Sequence, residues 1–410
     1  MNEGEISMDF ATTTSGSHFV FSPASSYPDP AAFLVDREGN VLHRWASRVE
    51  QPDEDTDPPS FLRGWNHVEV MDDGGLLALV PLHAVLRLDR SSQVLWCAPV
   101  AAHHDMYVGT DGAVHVLTEH RRAVRVDGSP WAVLDNAITL LAPDGTVLRS
   151  WSLYGILSTD PVIAGMIDSA QRHKRAAFLR SGRAVGDAAR SAADLERIRN
   201  LLGDDDRTSL SRDDLALLRR LPDSPCDVLH ANSIEMLESA PHGLWERGHW
   251  LVSVRELDLI AVLDLHAERV VWWWGPGELS GQHQPSALPS GNILVFDNGV
   301  RAGRSRAVEV NPVTGRIEWQ YVATPPSSFF TAVAGGCEQL SGGNVLLTDA
   351  QAGRAFEITR SGELVWEWTV PQEYCPPRKS RATIYRFSAV AAAVPQRTAA
   401  GMATIREALG

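Results

Sequence analysis

Short apolar runs alternate with polar turns along most of the chain, and one arrangement of them recurs six times. Each copy has an apolar strand, a polar turn that usually contains glycine, and a second strand with a tryptophan near its end. A hairpin of this size cannot bury its own apolar face, so neighbouring copies must stack to build a core. The copies end at Trp45, Trp96, Trp151, Trp272, Trp319 and Trp366.

A second unit, an inner strand followed by a glycine turn and a further strand, precedes five of the six hairpins. The two units together give four strands per repeat, which is typical of a propeller blade. The apolar runs are bounded by D-G, S-G and G-G turns, which favours strands throughout. The pattern therefore predicts an all-β fold, a six-bladed β-propeller. The second unit begins at His67, His104, His230, His283 and Gly335.

The two ends of the chain carry complementary parts of one blade. The Trp45 hairpin has no inner strand before it, and the segment 384–390 (IYRFSAV) has no hairpin after it. We expect 384–390 to form the innermost strand of the sixth blade, with HFVFSP from His18 and the Trp45 hairpin as its outer three strands. This pairing closes the ring and leaves no exposed sheet edge.

One helical segment interrupts the strands between blades two and three. Over residues 158–222 apolar residues recur at three- and four-residue spacing, Ser211 and Asp214 resemble a capping box, and Pro222 ends the run. We therefore predict a single propeller domain over residues 1–410 that contains a helical insertion at 158–222. The insertion is either peripheral, for example a contact between two copies in a homodimer, or a lid over the channel mouth.

Four histidines occupy equivalent places in their blades. His67, His104 and His283 each lie eight residues before a turn glycine, and His230 has the same place in a blade with a longer turn. Equivalent starts of innermost strands lie at one end of the channel, so we expect these imidazoles to converge there. A lone histidine usually has a structural role, but propeller packing requires none here, because blade five carries Gly335. Converging neutral imidazoles suit a transition metal ion, acid–base catalysis or nucleophilic catalysis. Histidines outside this register are interpreted as surface or core residues, namely His83, His103, His115, His120, His242, His249 and His266.

Arginines form a second set of candidates. Arg255 and Arg301 follow the second strands of blades three and four, and the turn 297–299 is interpreted as a cap that positions Arg301. A guanidinium at such a place suits a sulfate, phosphate or carboxylate. Arg306 and Arg354 lie in comparable places, and the alternative for all of these arginines is a structural ion pair between blades. The acidic partners considered for such pairs are Asp258, Asp297 and Glu357.

Composition and charge narrow the choice of partners. The formal net charge of −14 argues against nucleic acid, because binding a duplex requires a basic face. No run of eighteen apolar residues is present, and residues 1–17 lack the basic start and apolar core of a secretion signal. We therefore expect a cytoplasmic protein that binds neither nucleic acid nor membrane. The four cysteines are widely separated, which indicates neither a zinc finger nor a disulfide framework.

Several segments resemble the arylsulfate sulfotransferase family. They are HFVFSPASS followed by FLVDREGNVLHRW near the amino end, LHANSIEML with His230, SVRELDLIAVLD with Arg255, GQHQPSALPSGNILVFDNG with His283, the following SRAVEV, and GGCEQLSGGNVLLTDAQAGRAFEITRSGELVWEW. The resemblance covers most of the chain outside the insertion and the extreme termini. It implies a six-bladed propeller that moves a sulfuryl group from an aryl sulfate to a phenol through a channel histidine, without a nucleotide donor and without a cofactor. It also implies channel roles for His230, His283 and Arg301, with weaker matches at Arg255 and Arg306.

The chain departs from this family at one point. The family's sulfated histidine lies in a later blade than its Q-H motif, whereas no histidine follows His283 here. The leading expectation is an enzyme for a phenolic or aromatic small molecule, with His283 or His230 as nucleophile or acid–base and Arg255 and Arg301 as anion clamp. A second hypothesis is a transition metal site made by the four in-register histidines, which catalyses another reaction, for instance in secondary metabolism. A third is a non-catalytic propeller that binds a ligand or partner at the channel mouth.

Overall fold

The chain folds as a six-bladed β-propeller, as the repeat pattern predicts. A computed structural model describes residues 18–23, 30–47, 64–180, 192–203, 210–221, 224–371 and 383–390. Six sheets of four antiparallel strands follow one another around a central channel, and each sheet corresponds to one predicted repeat.

Five blades use strands that are consecutive in the chain, and the sixth joins the two ends. Blade one contains β4 (Val68–Val70), β5 (Leu76–Val80), β6 (Ala84–Leu88) and β7 (Val94–Ala98). Blade two contains β8 (Ala102–Val108), β9 (Val114–Val126), β10 (Ser129–Leu141) and β11 (Val147–Ser152). Blade three contains β12 (Ala231–Met236), β13 (Trp250–Val254), β14 (Leu259–Asp264) and β15 (Arg269–Trp274). Blade four contains β16 (His283–Ala287), β17 (Ile293–Asp297), β18 (Arg306–Asn311) and β19 (Arg316–Val322). Blade five contains β20 (Gly336–Gln339), β21 (Val345–Asp349), β22 (Arg354–Ile358) and β23 (Leu364–Thr369). Blade six contains β24 (Ile384–Val390), β1 (His18–Pro23), β2 (Ala31–Asp36) and β3 (Val41–Ala46).

The second strand of a blade is covered by neighbouring blades on both of its faces. In β5, β13, β17 and β21 every residue is buried. A strand covered on both faces has a nearly continuous apolar sequence, as in LLALV of β5. The outermost strand β19, by contrast, alternates exposed and partly buried residues. The core is therefore a series of apolar layers between successive blades.

The sixth blade joins the two ends of the chain in the predicted order. β24 is its innermost strand and pairs antiparallel with β1, which is followed outward by β2 and β3. The register places Phe21 opposite Phe387. The Phe387 ring is buried and packs against Phe19, Phe21 and Trp368. Ring closure thus buries an aromatic cluster that neither end of the chain can bury alone.

The repeated tryptophans connect the outer parts of successive blades. Trp366 donates its indole N–H to Arg37 O at 2.8 Å, across the junction between blades five and six. Trp151 differs, because its buried indole nitrogen has no hydrogen-bond partner among the described residues, at the junction where the insertion leaves blade two. The four other repeated tryptophans donate to the next blade: Trp45 to Gly74 O (3.3 Å), Trp96 to Pro143 O (2.9 Å), Trp272 to Pro312 O (3.0 Å) and Trp319 to Arg360 O (2.7 Å).

The predicted helical insertion lies between blades two and three and starts before residue 158. Ser211 and Asp214 form the predicted capping box, whereas Pro222 lies outside the described residues. Buried residues such as Ile163 and Leu218 share one apolar cluster with the long hairpin β9–β10. Within the described parts of the chain, no helix has both the length and the apolar composition needed to cross a membrane. The helices are α1 (Leu153–Leu157), α2 (Pro161–Arg180), α3 (Ala192–Leu202) and α4 (Arg212–Arg220).

Replacing Trp366 with Phe tests the indole bond at the closing junction. We expect Trp366→Phe to lower the free energy of unfolding by about 1 kcal/mol more than Trp151→Phe, because a net hydrogen bond contributes about 0.5–1.5 kcal/mol. Trp151 is the matched control, since it also lies on an outermost strand beside an arginine but donates to no described residue. Guanidinium chloride unfolding measures both variants, and equal destabilisation would contradict this role of the indole.

Candidate functional site

A cavity of about 500 Å³ lies at the end of the channel where the innermost strands begin. Residues at or just before the starts of these strands line it in every blade, from Asn66 in blade one to Tyr385 in blade six. Trp65, Leu82 and Val333 give it an apolar wall. Its polar lining consists of His103, His104, Arg219, Asp227, His230, Arg255, His283 and Tyr385, with smaller contributions from neighbouring residues.

Four of the six predicted site residues line this cavity, and two do not. The two outside it are His67 and Arg301. His67 Nδ1 lies 2.6 Å from Asp105 Oδ1, which also accepts a hydrogen bond from Arg386 at 2.9 Å. His67 is therefore held in a buried ion-pair network instead of joining the other imidazoles. The four residues that line the cavity are His104, His230, His283 and Arg255.

The backbone at two of these histidines adopts a conformation that side chains rarely take. His104 and His230 have φ angles of 61° and 49°, and β8 and β12 each carry a register shift next to them. Strained residues and bulges of this kind cluster at functional sites, where they redirect side chains. In blade five the equivalent residue is Gly335 (φ +84°), where an added Cβ would lie 2.7 Å from Thr348 O and 3.0 Å from Phe296. Close packing thus explains why this blade carries a glycine.

One wall of the cavity is a continuous chain of hydrogen bonds that ends on a carboxylate. Asp227 Oδ2 lies 2.5 Å from His230 Nδ1, and His230 Nε2 lies 3.0 Å from His104 Nε2. His104 Nδ1 then lies 2.9 Å from the Tyr385 hydroxyl. We call these four residues, Tyr385, His104, His230 and Asp227, the relay.

The ionised carboxylate fixes one proton in the relay, and the protonation of His230 Nε2 then sets the direction of the other two hydrogen bonds. Burial would raise the pKa of the Asp227 carboxyl, but His230 and Arg219 hold it well below its usual range. His230 Nδ1 therefore carries a proton and donates it to Asp227. In the state where this is the only ring proton, Nε2 of His230 is an acceptor. His104 donates to that nitrogen through Nε2–H, and its own Nδ1 accepts from the Tyr385 hydroxyl.

The two members of the relay farthest from Asp227, namely His104 and Tyr385, are neutral. Burial, followed by the neighbouring His230, holds the pKa of His104 well below its ordinary value. Burial likewise raises the pKa of the Tyr385 hydroxyl above its ordinary value. His104 is thus an imidazole and Tyr385 a phenol at neutral pH.

His283 is oriented separately from the relay. Its Nδ1 lies 2.7 Å from Asn298 Oδ1 and 3.1 Å from Gly281 O, so it carries the proton and donates it. Burial, reinforced by the charge of Arg255, lowers the pKa of His283 to about 3. Nε2 consequently holds a lone pair, and no described residue forms a hydrogen bond with it. His283 is a neutral, fixed imidazole with an unused nucleophilic nitrogen in a cavity wall.

The motifs around His283 hold it in this orientation. Asn298 Nδ2 donates to Thr331 O at 2.8 Å and to Ala334 O at 2.9 Å, so its oxygen must face His283. Gln282 is buried and donates to Leu259 O at 2.9 Å. Turn 297–299 forms the predicted cap, in which Gly299 N donates to Asp297 Oδ1 at 3.1 Å, and its asparagine orients the imidazole of His283.

The arginines divide into cavity and structural groups. Arg255 lines the cavity and pairs with Glu256 at 2.5 Å. Arg301 has a side chain that is 60% exposed and binds Asp258 and Leu279 O, so it points away from the cavity. The remaining two candidates form ion pairs, Arg306 with Asp297 at 2.8 Å and Arg354 with Glu367 at 2.6 Å.

The helical insertion supplies a cation that the strand register did not reveal. Arg219 of α4 lines the cavity and binds both oxygens of Glu119, at 2.7 and 2.8 Å. Its Nη1 also lies 3.9 Å from Asp227 Oδ2. Because Glu119 is buried, this pair anchors α4 and places positive charge beside the relay.

Of two further cavity residues, Tyr385 could have been found from the sequence and His103 could not. Tyr385 is the second residue of β24, the strand predicted to be innermost in blade six, so the same positional argument applies to it. His103 was interpreted as a surface or core residue, but it lines the cavity and accepts from Asn136 Nδ2 at 3.2 Å. The bulge in β8 places adjacent residues His103 and His104 on the same cavity, which strict alternation along a strand does not predict.

The described residues include no group of three or more histidine, cysteine, aspartate or glutamate side chains that is arranged to hold a metal ion. The metal hypothesis required His67 beside the other three in-register imidazoles. His67 is instead held by Asp105, while His104 and His230 bind each other. The geometry thus gives the metal hypothesis no support.

Known proteins provide an independent comparison. A family model described as arylsulfotransferase (ASST) matches residues 83–370, and no curated protein matches the chain. A solved protein of unknown function from Bacteroides caccae is 12% identical, with a TM-score of 0.45, over 92% of this chain and 99% of that one. Virginiamycin B lyase from Staphylococcus aureus is 11% identical, with a TM-score of 0.37, over 74% of this chain and 69% of the lyase chain. AztD from Citrobacter koseri is 9% identical, with a TM-score of 0.39, over 92% of this chain and 98% of the AztD chain. At these values the solved structures carry no inference about activity.

The protonation of His283 can be measured directly. We expect its ring nitrogens to show the neutral Nδ1–H tautomer from about pH 8 to about pH 5, although a free histidine takes up its second proton near pH 6.5. The sign follows from a pKa of about 3, above which the ring is neutral. Nitrogen-15 NMR of histidine-labelled protein, with the signal assigned by its loss in His283→Gln, makes the measurement. An imidazolium signal for His283 at pH 6 would contradict this tautomer.

Proposed function

The chain belongs to the arylsulfotransferase family, and we propose that it transfers a sulfuryl group from an aryl sulfate to a phenolic small molecule with His283 as the nucleophile. The observation that carries this proposal is the orientation of His283. Its Nδ1–H is held by two oxygen acceptors while the lone pair of Nε2 is unused.

His283 fits the nucleophile role better than His230 does. A nucleophilic imidazole must be neutral and must have a nitrogen that is not occupied by another group. His230 uses one nitrogen for Asp227 and the other for His104. His283 meets both conditions. If His283 is the nucleophile, the reaction does not require a histidine in a later blade, and no histidine follows His283 in this chain.

Arg255 is the proposed clamp for the sulfuryl oxygens. Both residues line the cavity, and an added Cβ at Gly281, whose carbonyl accepts from His283 Nδ1, would lie 3.9 Å from Arg255 Nε. The guanidinium and the proposed nucleophile therefore share one part of the cavity. Fixed cationic donors stabilise charge that develops on a transferring group, because they need no reorganisation during the reaction. The apolar wall of Trp65, Leu82 and Val333 suits an aromatic ring.

The proposed reaction has two balanced half-reactions. In the first, Nε2 of His283 forms a bond to sulfur, the bond between sulfur and the aryl oxygen breaks, and the phenoxide leaves with a proton from the protein. In the second, a phenolic acceptor gives up its proton and attacks the sulfur, which releases His283. The positive charge on the sulfated ring is stabilised through Nδ1–H by Asn298 and Gly281.

The covalent intermediate gives the first test. Incubation with 4-nitrophenyl sulfate and no acceptor should add the mass of one sulfuryl group to the peptide that contains His283. His283→Ala should abolish this addition, while the exposed His266→Ala should retain it, since His266 lies outside the cavity. Sulfation of another histidine in the native protein, or none with a range of aryl sulfates, would overturn the proposal.

The choice of clamp gives a second test. We expect Arg255→Gln to lower kcat/KM for the aryl sulfate about 10²-fold, the usual loss when one preorganised donor is removed. Arg301→Gln should change it by about fivefold or less, because an exposed ion pair contributes little. Thermal melting checks that both variants fold. A larger loss from Arg301→Gln would assign the clamp to Arg301.

A further inference from the structure

We infer that Tyr385 is the catalytic residue that exchanges a proton with the phenolic oxygen of donor and acceptor, and that the relay sets the direction of this exchange. This inference rests on the proposed function and names the group that handles its proton. It also gives a role to the strand that closes the ring, because Tyr385 lies on β24.

Tyr385 lies between the nucleophile and the rest of the relay. Its ring stacks on His104 with centroids 5.6 Å apart and meets the His283 ring edge-on at 6.4 Å. It is buried and lines the cavity. A phenolic oxygen displaced by His283 therefore leaves into a space that the Tyr385 hydroxyl also borders.

The hydrogen bonds already present in the relay favour Tyr385 over the histidines as the group that exchanges a proton with the phenolic oxygen. An imidazole has two nitrogens, and both nitrogens of His104 and of His230 are already bonded within the relay. A tyrosine hydroxyl has one proton and two lone pairs. When His230 carries only its Nδ1 proton, Tyr385 donates its proton to His104, which leaves the Tyr385 oxygen able to accept a proton from a phenol.

One added proton on His230 reverses two of the three hydrogen bonds in the relay. When His230 is protonated beside Asp227, its Nε2–H donates to His104 Nε2, and His104 Nδ1–H then donates to the Tyr385 oxygen. The hydroxyl proton of Tyr385 is now directed at the substrate. His104 and Tyr385 remain neutral in both states, and only His230 gains charge, where the carboxylate of Asp227 stabilises it.

The proton returns to its origin over one catalytic cycle. The cycle starts from the enzyme with His230 protonated. In the first half-reaction Tyr385 gives its proton to the leaving phenoxide, His104 passes one to Tyr385, and His230 passes one to His104. The Nδ1–H bond from His230 to Asp227 stays in place. In the second half-reaction the acceptor phenol gives its proton to the Tyr385 oxygen, and the shifts run backwards. No oxidant, metal or additional proton donor is needed.

Tyr385→Phe distinguishes this role from a structural one, because it keeps the stacked ring and removes only the hydroxyl. With phenyl sulfate, whose phenoxide is a strong base, we expect the rate of His283 sulfation to fall about 10²-fold. With 4-nitrophenyl sulfate, whose phenoxide is a weaker base, the fall should be about threefold or less. A structural defect would lower both rates equally. Tyr321→Phe, on the outer strand β19, is the matched control and should change neither rate.

A double-mutant cycle tests the relay itself. Asp227→Asn should slow the sulfation of His283 with the same dependence on the leaving group as Tyr385→Phe does. The double variant should be no slower than the slower of the two single variants, because both changes act on one proton path. Independent, multiplicative losses would overturn the relay, and an unchanged dependence on the leaving group in Tyr385→Phe would overturn the role of Tyr385. Either failure is separable from failure of the proposed function, in which His283 is not sulfated even by 4-nitrophenyl sulfate in the native protein.

Discussion

Every sheet of this ring needs a neighbour on each face, and that requirement is met only if the two ends of the chain share one sheet. The pairing of β24 with β1 meets it, and the indole of Trp366 bridges the closing junction at the outer edge. The same pairing brings Tyr385 into the central cavity. Closure therefore assembles the site as well as the core, which links the stability of the last blade to the chemistry of the channel.

Burial then determines which imidazoles of the cavity are neutral. It keeps His104 and His283 neutral, and the ionised carboxylate of Asp227 fixes a proton on His230 Nδ1. His283 is held by oxygen acceptors on one side only, so its second nitrogen is available to attack. The proposed nucleophile and the proposed proton path thus occupy the same cavity without competing for the same atoms.

The helical insertion belongs to the cavity wall. Arg219 of α4 stands beside Asp227 and is fixed by the buried Glu119. A second connection runs from Lys174 of α2 through Glu256, at 2.6 Å, to Arg255, which lines the cavity. Movement of the insertion would change the charge around both the relay and the proposed clamp, so the insertion and the site are electrostatically coupled.

The sequence by itself determined the blade count, the complementary ends and the register that places His104, His230 and His283 at one cavity, because strand periodicity and turn spacing are local properties that repeat. The same register also predicts that Tyr385, near the start of the innermost strand of blade six, lies at this cavity. The tertiary structure alone decided which histidine pairs with which group, that His67 turns to Asp105 and Arg301 to Asp258, and that Arg219 and Asp227 join the site. Those outcomes depend on contacts between residues far apart in the chain and on bulges that change the direction of a side chain, and periodicity along one strand contains neither.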